Sequence, residues 1–127
     1  MPATAMNHFT ILTDQLDDTV SFYRELLELQ TGKRPPFKFP GAWMYSGGQA
    51  ILHIIAKTPL PEQREGVIDH MAFSATGLLD TLEKLKARNI ESDLRRLPDS
   101  GVWQLFFHDP NGAKVELDFE ASEPGPA

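Results

Sequence analysis

Laid over itself with a shift of 62 positions, the chain meets its own pattern: Asn7-His8 falls on Asp69-His70, Leu16 on Leu78, and Asp18-Thr19 on Asp80-Thr81. A shift of 63 places His53 on Glu116. Identities are few, but the chemistry recurs, because each half opens on a segment carrying a histidine and closes on one carrying a metal-capable side chain. Repeats of this kind usually pack on one another around a shared core.

The elements follow from periodicity. MNHFTILT has β-type residues without helical spacing and reads as a strand. A helix follows, with Asp14 placed to cap it, Asp17 and Asp18 at the positive end of its dipole, and Leu16, Val20, Tyr23 and Leu27 at helical spacing. Gly32 is expected at its end. KRPPFKFPG, with three prolines and two phenylalanines, reads as a stiff loop with exposed rings. AWMYSGGQAILHIIA reads as two strands about a Gly47-Gly48 turn, and the polar stretch TPLPEQREG closes the first half. The second half begins again with strand VIDHMAFSA and helix LLDTLEKLKARNI. It continues with strands SDLRRLP, VWQLFFHD and AKVELDFE, the last two joined by DPNG. The chain therefore reads as two β-α-β-β-β units, at about residues 6-57 and 66-120 of one domain spanning 1-120. The tail 121-127 is too poor in apolar residues to pack and is expected to be disordered.

Alternation along strands puts the chemistry on one side of each unit. Val115, Leu117 and Phe119 form an apolar face suited to a helix, and Glu116 points the other way. The same count sets His8 against Phe9 and Ile11, His53 against Leu52 and Ile54, and His70 against Met71 and Phe73. Taken singly, a histidine on an apolar strand is more often a hydrogen-bonded core or surface residue. Four such groups related by a repeat point instead to a shared divalent cation, which satisfies side chains that are costly to leave unpartnered. His108 has no counterpart in the first half and reads as a turn residue. Phe37, Trp43, Tyr45, Trp103 and Phe106 are candidates to line a substrate pocket, and Arg34, Arg95 and Arg96 to meet a substrate carboxylate.

Composition narrows the function classes. A net charge of -6 disfavours a nucleic-acid surface, and the absence of cysteine excludes disulfides, thiolate catalysis and Cys-ligated zinc. No apolar run approaches the roughly 18 residues needed to span a bilayer, and MPATAMNHF lacks the regions of a signal peptide. A soluble cytoplasmic protein is expected, with no nucleic-acid or membrane partner.

At the level of motif, NHFTILTDQLDDTVSFYRELLEL, IDHMAFSA and FFHDPNGAKVELDF resemble the vicinal oxygen chelate superfamily, which includes glyoxalase I, extradiol dioxygenases and bleomycin-binding proteins. The resemblance covers about residues 6 to 120. It implies an α+β fold of paired βαβββ modules forming an open, cup-shaped mixed sheet with helices outside, around a divalent metal and commonly in a homodimer. It also implies that His8 and His70 are first-strand ligands and Glu116 the last-strand carboxylate. His53 departs from glyoxalase I, where a glutamate holds the matching position. A neutral imidazole there leaves the site one unit more positive and favours an anionic ligand.

Three activities are compatible with these residues. In a glyoxalase-type isomerase or lyase, a metal on His8, His53, His70 and Glu116 (Fe, Mn, Ni, Co or Zn) binds adjacent oxygens of a small anionic or aromatic substrate, and Glu116 is the base. In an extradiol-type dioxygenase, His8, His70 and Glu116 hold Fe(II), and His53 acts as acid or base. A metal-free drug- or metabolite-binding module is the third.

Overall fold

The computed structural model describes residues 2–127, so Met1, the first residue of the expected domain, lies outside it. The chain forms two compact units, one ending at Glu62 and the other running Gln63–Ala127. The first contains β1 (Phe9–Thr13), α1 (Leu16–Leu26), β2 (Gln30–Thr31), β3 (Gly41–Ser46) and β4 (Gln49–Ala56). The second contains β5 (Met71–Ser74), α2 (Leu78–Ala87), β6 (Ser92–Arg96), β7 (Trp103–His108) and β8 (Lys114–Phe119). Each unit carries one four-stranded mixed sheet, in the orders β1-β4-β3-β2 and β5-β8-β7-β6. The first strand of each runs parallel to the last, and the other pairs are antiparallel. This is the two-module βαβββ, α+β architecture that periodicity and repeat led us to expect. Among the described residues, no helix is long and apolar enough to cross a membrane.

In the first unit α1 packs on β2, β3 and β4. Phe22, Tyr23 and Leu26 are buried on the helix, and Met44, Leu52 and Ile54 on the sheet. The buried stripe is turned from the one read off the sequence: Leu16, Val20 and Leu27 are only partly covered. Asp14 does not cap this helix. Gln15 occupies the cap position without a side-chain bond, and Thr13 Oγ1 instead accepts from the Gln15 amide and pairs with Thr19 Oγ1. The helix also stops earlier than Gly32. It ends at Leu26, Glu28 takes the left-handed conformation at φ 56°, and the Leu29 amide reaches back to the Tyr23 carbonyl. That bond closes the helix end as glycine often does, with Leu29 buried as the anchor. The Gly47-Gly48 turn is as expected, with φ of 58° and 80° that favour glycine.

In the second unit Leu78 and Leu85 of α2 are buried, as are Leu105, Phe107, Val115, Leu117 and Phe119. The DPNG segment closes β7 on β8 as an Asx turn: Asp109 Oδ1 accepts from the amides of Asn111 and Ala113.

Residues 121–125 are held rather than disordered, by polar groups that a count of apolar residues does not register. Arg96 Nη2 donates to the Ala121 carbonyl and Trp103 Nε1 to the Glu123 carbonyl. The Glu123 carboxylate accepts from the Gly77 and Leu78 amides, capping α2, whose own N-cap Gly77 has no side chain to do so. Glu123→Ala is expected to cost about 1 kcal/mol and lower the thermal midpoint by about 3–6 °C. An unchanged midpoint by circular dichroism would show that the tail carries no stability.

Candidate functional site

The strand registers decide which side chains meet. In the first unit Thr10 of β1 and Trp43 of β3 both pair with His53 of β4, so the three share a face. His8, two residues before Thr10, lies on that face too. The imidazoles of His8 and His53 stack with centroids 3.7 Å apart, and Trp43 stacks on the other side of His53 at 3.9 Å. Covered in this way, His53 is partly desolvated. Burial, and then the neighbouring His8, push its pKa below the ordinary histidine value, and the Arg34 charge adds to the effect. The neutral imidazole, with a lone pair to offer, is the favoured form.

The second unit presents a carboxylate on the equivalent face. Glu116 of β8 pairs with Ala72 of β5 and Phe106 of β7. It is buried, at 6% exposure. Its Oε1 lies 2.9 Å from His70 Nε2, and Gln104 Nε2 donates to its Oε2 at 3.1 Å. Asp118 shares this face. Its burial, followed by a hydrogen bond and repulsion from Glu116, raises its pKa to about 6. Phe106 stands edge-on to His70 at 5.8 Å, with Arg95 and Lys114 over its ring.

His8 and His70, each one residue before the first strand of its unit, are oriented alike. His8 Nδ1 donates to Asn7 Oδ1 at 2.7 Å, and His70 Nδ1 donates to Asp69 Oδ2 at 2.7 Å. A proton engaged at Nδ1 leaves Nε2 with the lone pair, which is how proteins commonly orient metal-binding imidazoles. With its Nδ1 proton so used, His70 presents a second acceptor to Glu116 Oε1, and a proton or a cation is needed between them. Two ligands held about 2.1 Å from one metal and near a right angle stand about 3 Å apart. The observed 2.9 Å fits that spacing.

The structure thus brings His8 together with His53, and His70 with Glu116. Among the described residues, no three or more His, Cys, Asp or Glu side chains gather in a group that could hold a metal. Of the expected pocket residues, Trp43 stacks on His53, Phe37 is 6.4 Å from Trp43, and Phe106 stands against His70. Tyr45 is engaged elsewhere, its hydroxyl donating to the Lys33 carbonyl and its ring lying against Gly32, so it braces the loop after β2.

Trp103 does not belong with Phe106. It pairs with Phe119 on the opposite face of the sheet, where Arg96 lies 4.2 Å over its ring and Glu123 holds its Nε1. Their spacing of three residues puts the two rings on opposite sides of a strand. Gln104 and Asp118 were missed, although both alternate onto Glu116's face. Asn7 and Asp69 were visible as a repeated pair, without their role.

Comparison with known proteins agrees with the fold. Glyoxylase I 4 of Arabidopsis thaliana is 30% identical over 122 residues, covering 90% of this chain and 70% of that protein. The structure of a lactoylglutathione lyase from Agrobacterium tumefaciens matches 94% of this chain and 96% of its own at TM-score 0.66 and 22% identity. A mutant of the fosfomycin resistance protein FosX from Listeria monocytogenes, complexed with Mn(II) and 1S,2S-dihydroxypropylphosphonic acid, matches 93% of each chain at TM-score 0.75 and 17% identity. At those identities the structural likeness is one of fold. The family model matches residues 5–117, and the chain belongs to the Glyoxalase/Bleomycin resistance protein/Dioxygenase superfamily.

Proposed function

We propose that this protein is a divalent-metal-dependent enzyme of the glyoxalase type, a lyase or isomerase working as a homodimer, with His8, His53, His70 and Glu116 as its metal ligands. The observation that carries the reading is the matched anchoring of His8 and His70 through Nδ1, which leaves the His8 Nε2 lone pair available and aims His70 Nε2 at Glu116. The 2.9 Å approach of Glu116 to one of them supports it. A bound divalent cation supplies Lewis-acid polarisation of two adjacent substrate oxygens.

The chain's own groups do the rest. Glu116 is the base that takes the substrate proton, and burial shields it from competing water. Gln104 holds its Oε2, which fixes the carboxylate with Oε1 beside His70 Nε2. Asn7 and Asp69 keep the histidine rings from rotating away. His53 contributes a neutral donor where a carboxylate would add negative charge, so an anionic substrate is favoured.

One observation favours a second reading. The Trp43 ring stacked beside His53 suits an aromatic substrate, as an Fe(II) ring-cleaving dioxygenase on His8, His70 and Glu116 requires. His53→Ala separates the two. A divalent-metal affinity lowered tenfold or more supports a fourth ligand and the glyoxalase reading. Unchanged Fe(II) binding with lost oxygen uptake on catechols supports an acid–base His53 and the dioxygenase. Protein purified without chelator that contains no metal, and takes up none on titration, contradicts both and leaves a ligand-binding module.

A further inference from the structure

The segment 33–40 between β2 and β3 is not used by the ligand set, yet it is organised around one cation. Arg34 CZ lies 4.9 Å from the Phe37 ring centroid and 5.2 Å from that of Phe39. The two phenyl rings stack on each other at 5.0 Å, and Phe37 continues toward Trp43 at 6.4 Å. Trp43 in turn covers His53. An aromatic series therefore runs from the loop to the histidine pair within a single unit.

Two features of this series are unusual for surface residues. Phe37 and Phe39 are 44% and 41% exposed, although Phe22, Met44, Leu52 and Ile54 of the same unit are buried. Arg34 has no carboxylate partner among the described residues, whereas Arg95 pairs with Asp93, Lys84 with Asp80 and Lys114 with Asp69. Its one hydrogen bond runs from Nη2 to the Phe39 carbonyl, and its Nε is buried with no partner. That bond fixes the guanidinium in the loop without neutralising it. Three prolines hold the segment stiff, which lowers the ordering cost of binding.

We infer that segment 33–40 selects the substrate of this site, and that it selects a planar aromatic carboxylate whose ring lies on Phe37, Phe39 and Trp43 and whose anion meets Arg34. Stacking and cation–π surfaces favour flat rings over saturated ones, and a guanidinium fork matches a carboxylate. The assignment rests on the metal-site reading for its chemistry, but the binding step belongs to the loop.

The test separates the two. In Trp103→Phe protein, Trp43 is the one remaining tryptophan. Benzoate is titrated into the metal-free protein with fluorescence excited at 295 nm, and cyclohexanecarboxylate and benzyl alcohol serve as controls. Ligand-observed NMR on wild-type protein repeats the measurement should the Trp103 variant fold poorly. We expect benzoate to quench Trp43 and bind at least about tenfold more tightly than either control. Arg34→Gln and Phe37→Ala should each weaken it about tenfold, with Mn(II) affinity of Phe37→Ala within twofold of the parent. Equal binding of the three probes, or benzoate binding unaltered in both loop variants, overturns the inference. Benzoate binding that depends on the loop in a protein that takes up no metal supports the inference and overturns the metal site.

Discussion

Glu116→Gln is expected to lower divalent-metal affinity at least about a hundredfold and turnover by about 10²- to 10⁴-fold, with the fold intact. Glutamine keeps the shape of the buried side chain and an oxygen for Gln104 to donate to, so the change removes charge more than structure. It also has a consequence that only this geometry produces. Asp118 is raised to about 6 by burial and by Glu116, and removing the Glu116 charge leaves burial alone to raise it. The Asp118 carboxyl should therefore titrate at lower pH in the variant, as read by NMR. An Asp118 midpoint unchanged by the substitution would show that the two carboxyls do not interact.

The second large effect is on stability. Phe22→Ala is expected to cost about 3–5 kcal/mol, since the ring is 2% exposed and its loss leaves a cavity between α1 and the first sheet. Against a total stability of about 5–15 kcal/mol this is a severe loss. Guanidinium unfolding measures it, and Val20→Ala on the same helix, where the side chain is only partly covered, serves as the control and should cost less. Equal costs would mean that the stripe expected from the sequence, through Leu16, Val20, Tyr23 and Leu27, is the one that packs.

That comparison shows what could be read in advance. Period-2 and period-3.6 patterns located the principal strands and both helices, and the repeat brought out the paired histidines and their acidic counterpart. The rotation of α1 was harder, because an aromatic pair at Phe22 and Tyr23 lets two neighbouring stripes compete, and packing decides between them. Asp14 and Gly32 have the residue types of helix ends, but Gln15 holds the cap position, its amide bonded to Thr13 Oγ1, and Glu28 takes the left-handed turn, both set by local geometry. The tail was illegible for a different reason: the amides that Glu123 caps lie 45 and 46 positions away. No local pattern announces such a partner. Gln104, Asp118 and the separation of Trp103 from Phe106 follow from alternation, once the register of β7 on β8 is known.

The central proposal is that His8, His53, His70 and Glu116 are metal ligands. The most direct measurement is Mn(II) titration, followed by electron paramagnetic resonance, of wild-type protein, His8→Ala and His70→Ala. One equivalent per chain in the wild type, with affinity lost in both variants, is the expected result, because each substitution then removes a ligand from the same metal. Full-affinity binding retained in either variant, or none in the wild type, would contradict that ligand set.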